Sequence, residues 1–491
     1  MNKRVVLVYP NIIKGWQASP RMAMPLSLLC LANPVVHAGY DVRIIDQRAE
    51  PQWESILREE LQKEPACVGV SSMTGPQLRH ALDISKMVKK YGNAPVVWGG
   101  THASLVPVQT LMNENIDIVV QGEGEETFPE LVQALGGKQP LSTVKGIWYK
   151  ENGHVKNTEG RPFIDPNKQP PLLYHLVDLR KYNRRLFGVE HLDFFTSRGC
   201  PHQCTFCYNV DFHKKKWRPM DPDIALQRIK DFVLGYHVKG LHFNDSNFFY
   251  DLYRGRKILE GMIKEGLNIS ISNINIDFLT LSKMEQTDFA LLQRAGCRRL
   301  PIAVESGSKK IQRLIKKPID VDRLLETNRH LIKFDMAPHY AFMMGFPTET
   351  EEDLADSISL AFRLLDENPR ADTSFNIFTP FPGTELFDIT LKNGLRSPER
   401  VEDWFSFNYR NLTQGAPWLS KKMRHLVEVL DFCTFLMGKG PFPQPYEKTP
   451  IVSLLSKVYA PFARMRIKHF WDRFPIEMKL AKFLGLYAKQ E

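Results

Sequence analysis

The feature that most constrains the fold is a regular alternation of short apolar runs and helical segments over residues 4–150. Near-continuous apolar strands that alternate with helices predict a parallel, doubly wound α/β sheet with both faces covered. In such a sheet, ligands bind at the carboxyl ends of the strands. The predicted strands are residues 5–9, 41–46, 66–70, 95–98 and 116–120, and the predicted helices are 26–37, 53–62, 78–91 and 127–135.

The loops after the third and fourth predicted strands carry small and hydroxylated residues. Gly99 and Gly100 would let the backbone approach a bulky ligand, and Ser71, Thr74 and Thr101 can hydrogen-bond its polar edges. No G-x-G-x-x-G follows the first strand, so a nicotinamide dinucleotide is not expected. A regulatory or purely structural flavodoxin-like domain remains the alternative at this point.

Three cysteines, Cys200, Cys204 and Cys207, lie close together with the spacing C-x3-C-x2-C. They follow a strand end, and Gly199 and Pro201 predict a loop. Three thiolates on one loop can converge on one metal centre. Structural zinc takes four ligands, usually as two separated pairs, and no further Cys or His pair follows at that distance. An iron–sulfur cube normally takes four thiolates, so a cube held by three keeps one iron open for a substrate.

This spacing, with Phe206 just before the last cysteine, resembles the signature of the radical S-adenosylmethionine (SAM) superfamily. The resemblance implies a [4Fe-4S] cluster on Cys200, Cys204 and Cys207, with SAM bound to the open iron and Phe206 near SAM. It also implies that one electron, from a donor such as flavodoxin or ferredoxin, cleaves SAM to a 5′-deoxyadenosyl radical.

From residue 193 onward the strand–helix alternation resumes, which suits the partial (β/α)6 barrel of that superfamily. Glu305-Ser306-Gly307-Ser308 matches the family's Glu-Ser-Gly-Ser segment, whose Glu and first Ser contact SAM. The resemblance also implies that the Asp245 segment meets the SAM amino group, mostly through backbone oxygens, and that Asn273 contacts SAM, although both residues could simply cap turns. The predicted strands are residues 238–245, 268–273, 299–305, 336–344 and 374–378.

The loops Gly99-Gly100-Thr101-His102 and Gly122-Glu123-Gly124-Glu125, upstream of the cysteines, resemble the cobalamin-binding domain of B12-dependent radical SAM enzymes. The Asp-x-His-x-x-Gly motif that supplies a cobalt ligand in many cobalamin proteins is absent. The resemblance therefore implies cobalamin without a protein histidine, with Met73 or Thr74 under the corrin and His102 as a packing residue. The implied contacts are Ser71, Met73, Thr74, Gly99, Gly100, Thr101, Gly122 and Glu123.

The resemblance implies methylation of an unactivated carbon through methylcobalamin and a 5′-deoxyadenosyl radical. The family that the chain resembles also contains the anaerobic magnesium-protoporphyrin ester cyclase branch, which has the same domain order. Two alternatives are a non-methylating oxidative cyclase or rearrangement enzyme, and a radical SAM enzyme whose N-terminal domain only docks or senses. Methylthiolation requires a second cluster, and no second group of cysteines occurs.

We expect a cobalamin-binding domain at 1–150, a proline-containing linker at 151–190, the barrel at 191–400, and a mainly helical region at 401–491 that covers the substrate site. The other four cysteines lie alone in apolar contexts, as buried free thiols do. Unpaired cysteines predict a reducing, cytoplasmic environment. These four are Cys30, Cys67, Cys297 and Cys433.

The net charge of +10 is concentrated near the C-terminus. Residues 451–491 carry eight Lys/Arg and three Asp/Glu, a net charge of +5, interleaved with aromatic residues. This pattern suits peripheral contact with an anionic membrane and an apolar or lipid-like small-molecule substrate. The alternative is a packed helix pair with a solvated charged face. No nucleic-acid-binding motif is recognised, so no nucleic-acid partner is expected.

Overall fold

The structure is a computed structural model that describes residues 3–12, 22–182, 184–408, 412–437, 450–473, 475, 476, 478 and 479. The chain forms two compact units. Unit 1 comprises Met1–Asn183 and Ser397–Asn408, and unit 2 comprises Arg184–Arg396 and Tyr409–Glu491.

Unit 1 is built on one sheet with the strand order β2-β1-β3-β4-β5-β6-β7. Strands β1 to β5 are parallel, whereas β6 and β7 form an antiparallel hairpin at the edge. The order reverses at β1, which has β2 on one side and β3 on the other, so a ligand crevice is expected at that edge. The strands are β1 Arg4–Tyr9, β2 Asp41–Asp46, β3 Cys67–Ser71, β4 Val96–Gly99, β5 Ile118–Val120, β6 Ile147–Glu151 and β7 His154–Asn157.

The helices of unit 1 cover the sheet because their apolar residues recur with helical period. In α1, for example, Leu28, Leu29 and Val35 are buried. The helices are α1 Leu26–His37, α2 Trp53–Gln62, α3 Gln77–Tyr91, α4 Thr101–Leu105, α5 Pro107–Leu111 and α6 Thr127–Leu135, with 3₁₀ turns at Leu141–Thr143, Tyr174–Leu176, Leu179–Tyr182 and Val401–Trp404.

Two segments differ from the predicted domain organisation. Strand β7 lies inside the predicted linker, and residues up to 183 belong to unit 1. The linker prediction is therefore wrong for this part of the chain. Residues 397–408, predicted to belong partly to the barrel and partly to the C-terminal region, return to unit 1. There the Trp404 ring packs against the rings of His102 and Phe407.

Unit 2 contains six parallel strands in the order β9, β12, β13, β14, β15 and β16, with β13 and β14 joined only by isolated bridges among the described residues. This arrangement confirms the predicted partial barrel. The strands are β8 Arg184–Leu186, β9 Val189–Phe194, β10 Ser197–Arg198, β11 Arg218–Pro219, β12 Gly240–Phe243, β13 Ser270–Asn273, β14 Arg299–Glu305, β15 Ala337–Met344 and β16 Asp372–Ile377.

Helices alternate with these strands, and two further helices at the C-terminal end pack on each other, as predicted for a mainly helical region. Among the described residues, no helix is both long and apolar enough to cross a membrane. The helices are α7 Asn209–Phe212, α8 Pro222–Gly235, α9 Leu252–Lys264, α10 Phe278–Leu281, α11 Gln286–Arg294, α12 Lys309–Leu314, α13 Val321–Leu331, α14 Glu351–Glu367, α15 Glu385–Lys392, α16 Lys421–Met437 and α17 Pro450–Lys468, with a 3₁₀ turn at Thr413–Gly415.

The barrel strands have one face toward the helices and one toward the lumen. On β15, Tyr340 is buried and its hydroxyl donates to Asn328 of α13 over 2.9 Å. The adjacent His339 is half-buried, and its ring contacts Asp372 and Ser374 of the neighbouring strand β16. Because side chains alternate along a strand, His339 and its partners line the lumen.

Candidate functional site

The three cysteines lie on a loop that leaves β10 at Arg198. Strand β10 pairs with β11 through Arg198 and Arg218. Gly199 has a φ of +76°, and a Cβ there would lie 2.1 Å from the carbonyl oxygen of Lys216. Only glycine fits this close approach, so Gly199 fixes the point at which the cysteine loop begins.

The middle of the loop is anchored by Thr205. Its backbone N–H donates to the carbonyl of Ile315 over 3.2 Å, and its hydroxyl donates to the carbonyl of Leu314 over 2.9 Å. Phe206 packs against the apolar cluster that contains Ile315 and Phe346. The loop is therefore held against the C-terminal end of α12.

The three thiols are close enough to influence one another. Burial, with a smaller effect from charge on Cys204, raises the pKa of Cys200 to about 11 and that of Cys207 to about 12. Metal binding needs the thiolate form, so a cationic centre would have to supply the compensating charge.

The arrangement of donors is also informative. Among the described residues, no three His, Cys, Asp or Glu side chains are placed to hold a single metal ion. Cluster thiolates bind separate irons and do not have to meet at one point. Three neighbouring thiols on one loop are therefore residues that could hold a cluster.

Glu305 ends β14 in an unusual backbone conformation. Its φ is +67°, in the left-handed region, and the pairing with β15 shifts register between Ala303 and Glu305. Such a conformation in a non-glycine residue costs on the order of 1–3 kcal/mol and persists only where its surroundings enforce it. The partner is Lys317, whose Nζ lies 2.9 Å from Oε1 of Glu305.

Lys317 links this carboxylate to the cysteine loop. The side chain of Lys317 is 17% exposed and that of Glu305 is 10% exposed, so the ion pair is largely buried. Burial raises the pKa of Cys204, and the positive charge of Lys317 opposes that rise. The sequence analysis did not identify Lys317. The signal that could have found it is the short helix that begins after Ser308, because the chain beyond this helix comes back toward the cysteine loop.

Asp245 is fully buried at the end of β12, and its side chain is occupied by the chain itself. Its carboxylate accepts the backbone N–H and hydroxyl of Thr196 and the hydroxyl of Ser197, all within 3.0 Å. Arg254 donates to the carbonyl of Thr196 over 2.7 Å. The Asp245 side chain therefore holds the segment that leads into the cysteine loop, and the predicted contact of this segment with SAM through backbone oxygens stays a prediction.

Ser306 and Asn273 also differ in what they can offer a ligand. The Ser306 hydroxyl is buried, lies 3.0 Å from that of Ser357 and accepts the N–H of Ser308, so its predicted contact with SAM is not supported. Asn273 donates from Nδ2 to the carbonyl of Phe243 over 2.7 Å. Its amide oxygen is the group left for a ligand.

A second polar group near the cysteines was missed by the sequence analysis. Nε2 of His202 lies 3.5 Å from Oδ2 of Asp277, which also accepts from Asn247 and Thr280. Although burial acts in the opposite direction, these hydrogen bonds hold the pKa of Asp277 well below its usual range. Asp277 is therefore ionised, and its negative charge further raises the pKa of Cys200.

The barrel lumen is polar. His242 contacts Ser272 and Arg184, and Arg184 forms an ion pair with Asp193 at 3.0 Å. Burial lowers the pKa values of His242 and His339, so both imidazoles are neutral at physiological pH. A neutral imidazole can both donate and accept a hydrogen bond.

In unit 1 the loops after β3 and β4 are locked to each other. The Ser72 hydroxyl donates to the carbonyl of Gly99 over 2.8 Å. Gly100 has a φ of +97°, and a Cβ there would lie 2.6 Å from the carbonyl oxygen of Ser72. Glycine is thus required for packing within the protein, which differs from the predicted reason of backbone approach to a ligand.

The same loops bury Thr74 and His102. The Thr74 hydroxyl lies 3.0 Å from Nδ1 of His102, whose side chain is fully buried beneath Trp404. Burial lowers the pKa of His102 to about 3. His102 cannot reach a ligand outside the fold, so cobalamin would bind here without histidine, and Thr74 is not free to contact it.

Met73, by contrast, is 43% exposed between two buried neighbours. It is the residue of the β3 loop that can lie against a large apolar ring. Glu123 accepts the backbone N–H of Ile164 over 3.1 Å. The remaining predicted cobalamin contacts, Ser71, Gly99, Thr101 and Gly122, are half-buried at the same sheet edge.

Comparison with family models and solved structures agrees with both units. The B12 binding domain model matches residues 20–132, and the Radical SAM superfamily model matches residues 194–361. Over 98–99% of its length the chain has the fold of two solved enzymes. These are the radical SAM methyltransferase TsrM from Kitasatospora setae (TM-score 0.69, 15% identity, 100% of that chain) and the cobalamin-dependent radical SAM enzyme OxsB (TM-score 0.70, 16% identity, 75% of that chain).

Two relatives cover most of the chain. An uncharacterized methyltransferase of Pyrococcus horikoshii is 32% identical over 82% of this chain and 83% of its own length. The anaerobic magnesium-protoporphyrin IX monomethyl ester cyclase of Cereibacter sphaeroides is 26% identical over 91% of this chain and 72% of its own. The chain therefore belongs to the cobalamin-dependent radical SAM enzymes, in the group that contains methyltransferases, and its cofactors are cobalamin, SAM and a [4Fe-4S] cluster.

Proposed function

We propose that the enzyme methylates an unactivated carbon of a small molecule, and that Glu305 and the cysteine loop hold SAM for this reaction. When bound, cobalamin supplies the methyl group, and SAM on the cluster supplies the radical that removes a hydrogen atom from the substrate carbon. The protein's residues bind and orient these groups and exclude water.

The strongest support for this role of Glu305 is its geometry. A strained, largely buried carboxylate is maintained beside the cysteines by a buried lysine. A buried carboxylate in this position can accept hydrogen bonds from a cationic amino group such as that of SAM. Asp245 and Thr205 act differently. Asp245 holds the segment that leads into the cysteine loop, and Thr205 anchors the middle of the loop.

The distribution of cysteines argues against methylthiolation. The chain has seven cysteines, and those outside the triplet are buried as free thiols. A second cluster would need another group of thiolates, and the other four cysteines, Cys30, Cys67, Cys297 and Cys433, lie far apart in the sequence.

Anaerobic incubation with methyl-labelled SAM and a cell extract tests the proposal. We expect one small-molecule fraction to gain the label with wild-type enzyme and not with Cys204→Ala, which should also lose deoxyadenosine production. Cys297→Ala is the matched control, because this single buried thiol is remote from the loop in sequence. Deoxyadenosine formed at the wild-type rate by Cys204→Ala would contradict the cluster assignment.

Oxidative ring closure is the second candidate, favoured by the similarity to the Cereibacter cyclase over 91% of this chain. The same incubation separates the two reactions. A methyltransferase moves the label into product, whereas a cyclase forms deoxyadenosine without labelling the product.

We further propose that the substrate has an apolar body and at least one hydrogen-bonding group. The polar group would meet His242 or His339 in the lumen. An apolar body is consistent with the exposed side chains near the C-terminus, where Val458, Met465 and Ile476 are 74%, 40% and 67% exposed. Such residues interleaved with Lys and Arg suit contact with an anionic membrane surface.

Two of the predicted basic residues do not take part in that surface. Arg464 forms an ion pair with Asp366, and Arg466 is buried against the rings of Phe462 and Trp471. Residues 480–491 and residues 474 and 477, which the sequence prediction included, lie outside the described residues.

Liposome flotation tests the membrane contact. Intact protein should float with anionic vesicles at low salt, and Val458→Glu/Met465→Glu/Ile476→Glu should not. Tyr253→Glu/Leu234→Glu is the control, since both side chains are exposed on the barrel's helices. Intact protein that remains at the bottom with anionic and neutral vesicles alike refutes the idea.

A further inference from the structure

An exposed run of three lysines, Lys214, Lys215 and Lys216, lies in unit 2 between α7 and β11. With Arg218 and a single acidic residue, Asp211, it gives residues 209–218 a net charge of +3. Such a run is usually a solvated surface, so its position in the fold decides whether it has a further role.

The lysine run lies directly against the cysteine loop. The β10–β11 pairing joins Arg198, two residues before Cys200, to Arg218, two residues after Lys216. The Gly199 backbone approaches the Lys216 carbonyl so closely that a Cβ would be 2.1 Å away. On the other side of the loop, Nζ of Lys215 donates to Oε1 of Gln203 over 3.3 Å.

The backbone of the run is held in a costly conformation. Lys214 and Lys215 have φ values of +50° and +59°, so two consecutive non-glycine residues are left-handed. This conformation costs roughly 1–2 kcal/mol per residue. The loop is closed by the N–H of Lys216, which donates to the carbonyl of His213 over 2.9 Å. The fold thus maintains three ammonium groups beside the cysteines at an energetic cost.

These charges are not neutralised within the described part of the chain. No ion pair there joins Lys214, Lys215 or Lys216 to a carboxylate. The side chains are therefore available to an external anionic surface, and a patch of one sign accelerates the approach of an oppositely charged partner.

We propose that the lysine run is the docking surface for a small acidic electron-transfer protein. This inference rests on the proposed function, because the cluster must receive one electron before SAM is cleaved. The donor's reduced cofactor loses one electron and the oxidised cluster gains it, with no other bond made or broken. Weak redox encounters bury little area, so a patch of this size with complementary charge is sufficient.

Cluster reduction measured anaerobically in the full-length, cluster-loaded enzyme tests the proposal. Reduced flavodoxin is the protein donor, and dithionite is the small reductant. For Lys214→Glu/Lys215→Glu/Lys216→Glu we expect reduction by flavodoxin to slow by about tenfold or more, while reduction by dithionite is unchanged. The wild-type rate with flavodoxin should fall as salt is added, because screening weakens charge attraction.

The matched control is Lys239→Glu/Lys264→Glu/Lys333→Glu, three exposed lysines near the opposite, amino-terminal ends of the strands. It changes the net charge equally and should leave the flavodoxin rate within twofold of the wild type. An unchanged rate in the 214–216 variant, or an equal loss in the control, overturns the proposal. The readout needs no substrate or methyl transfer, so it is independent of the proposed reaction.

Discussion

Replacement of Lys317 by methionine should weaken SAM binding and make the cluster harder to reduce. Methionine keeps much of the length and apolar stem of lysine and removes the charge. Without Lys317, Glu305 is a largely buried carboxylate that has lost this ion pair and is still in its left-handed conformation. A buried charge without its partner is costly, so the variant should no longer hold the Glu305 carboxylate in the position from which it accepts the cationic amino group of SAM.

The size of the effect follows from the geometry of the pair. At 2.9 Å and an effective dielectric constant of about 20, the Coulomb attraction is about 6 kcal/mol. Desolvation offsets part of this, and removal of one partner of a buried pair typically costs about 3–5 kcal/mol. If about half of that loss appears as weaker binding, the SAM dissociation constant increases by about 10-fold to 100-fold.

The adjacent Lys316 provides a matched control. It forms an ion pair with Glu385, but both side chains are about half exposed, and such pairs contribute about 0–1 kcal/mol. Calorimetry of SAM binding to the cluster-loaded protein should therefore show a large loss for Lys317→Met and little change for Lys316→Met. Lys317→Arg should retain most of the affinity.

The reduction potential of the cluster gives a second measurement. The reduced cluster carries one more negative charge, which Lys317 stabilises, so the potential of Lys317→Met should fall by several tens of millivolts. The double variant with Glu305→Gln should show a smaller additional loss of SAM affinity than the two single changes added together. SAM affinity and potential within error of Lys316→Met would refute the reasoning.

Two further predictions concern packing. Gly100→Ala should destabilise unit 1 by about 1–3 kcal/mol more than Gly122→Ala. Both glycines have a positive φ, but only at position 100 would a Cβ lie against Ser72. Thermal unfolding with and without cobalamin measures the difference. Asp245→Ala removes a buried acceptor shared by three donors and should reduce the iron retained after reconstitution. Asp251→Ala removes a helix cap and should lower stability by about 1 kcal/mol but keep the iron.

The strands that the sequence predicted agree with the observed ones to within about two residues, because their signal is local. Apolar runs of strand length alternate with amphipathic helices, and this pattern needs no knowledge of distant residues. The β6–β7 hairpin was missed for the same reason: Ile147–Glu151 is polar at one end and β7 is mostly exposed. A strand at the edge of a sheet can have little apolar surface and still be fixed by backbone hydrogen bonds to its neighbour.

The return of residues 397–408 to unit 1 depends on contacts that a local pattern cannot encode. The indole N–H of Trp404 donates to Gln109, nearly three hundred residues earlier in the chain. An aromatic side chain in a C-terminal stretch predicts burial, but it does not identify which core receives it. The sequence therefore could not show that Trp404 packs within unit 1.

In the candidate site, too, the sequence predicted some features and could not predict others. Polar residues at the carboxyl ends of β12 and β14 were expected to meet because parallel strands bring those ends to one edge. Which of them face a ligand depends on donors elsewhere in the chain: Thr196 and Ser197 occupy Asp245, and Ser357 occupies Ser306. Sequence position can predict that such groups are neighbours, but it cannot predict which acceptors are already satisfied.

The same criterion separates residues that hold the site from residues that can act in it. A fully buried polar group with all its partners inside the chain, such as Asp245, can only position other groups. Glu305 combines a strained backbone, residual exposure and one cationic partner, and Asn273 keeps its amide oxygen available. Binding energy for a charged cofactor must come from groups of the second kind, because only they exchange water for the ligand. Glu305, with Lys317 behind it, is therefore the position at which a single substitution should most alter SAM binding while the fold is kept.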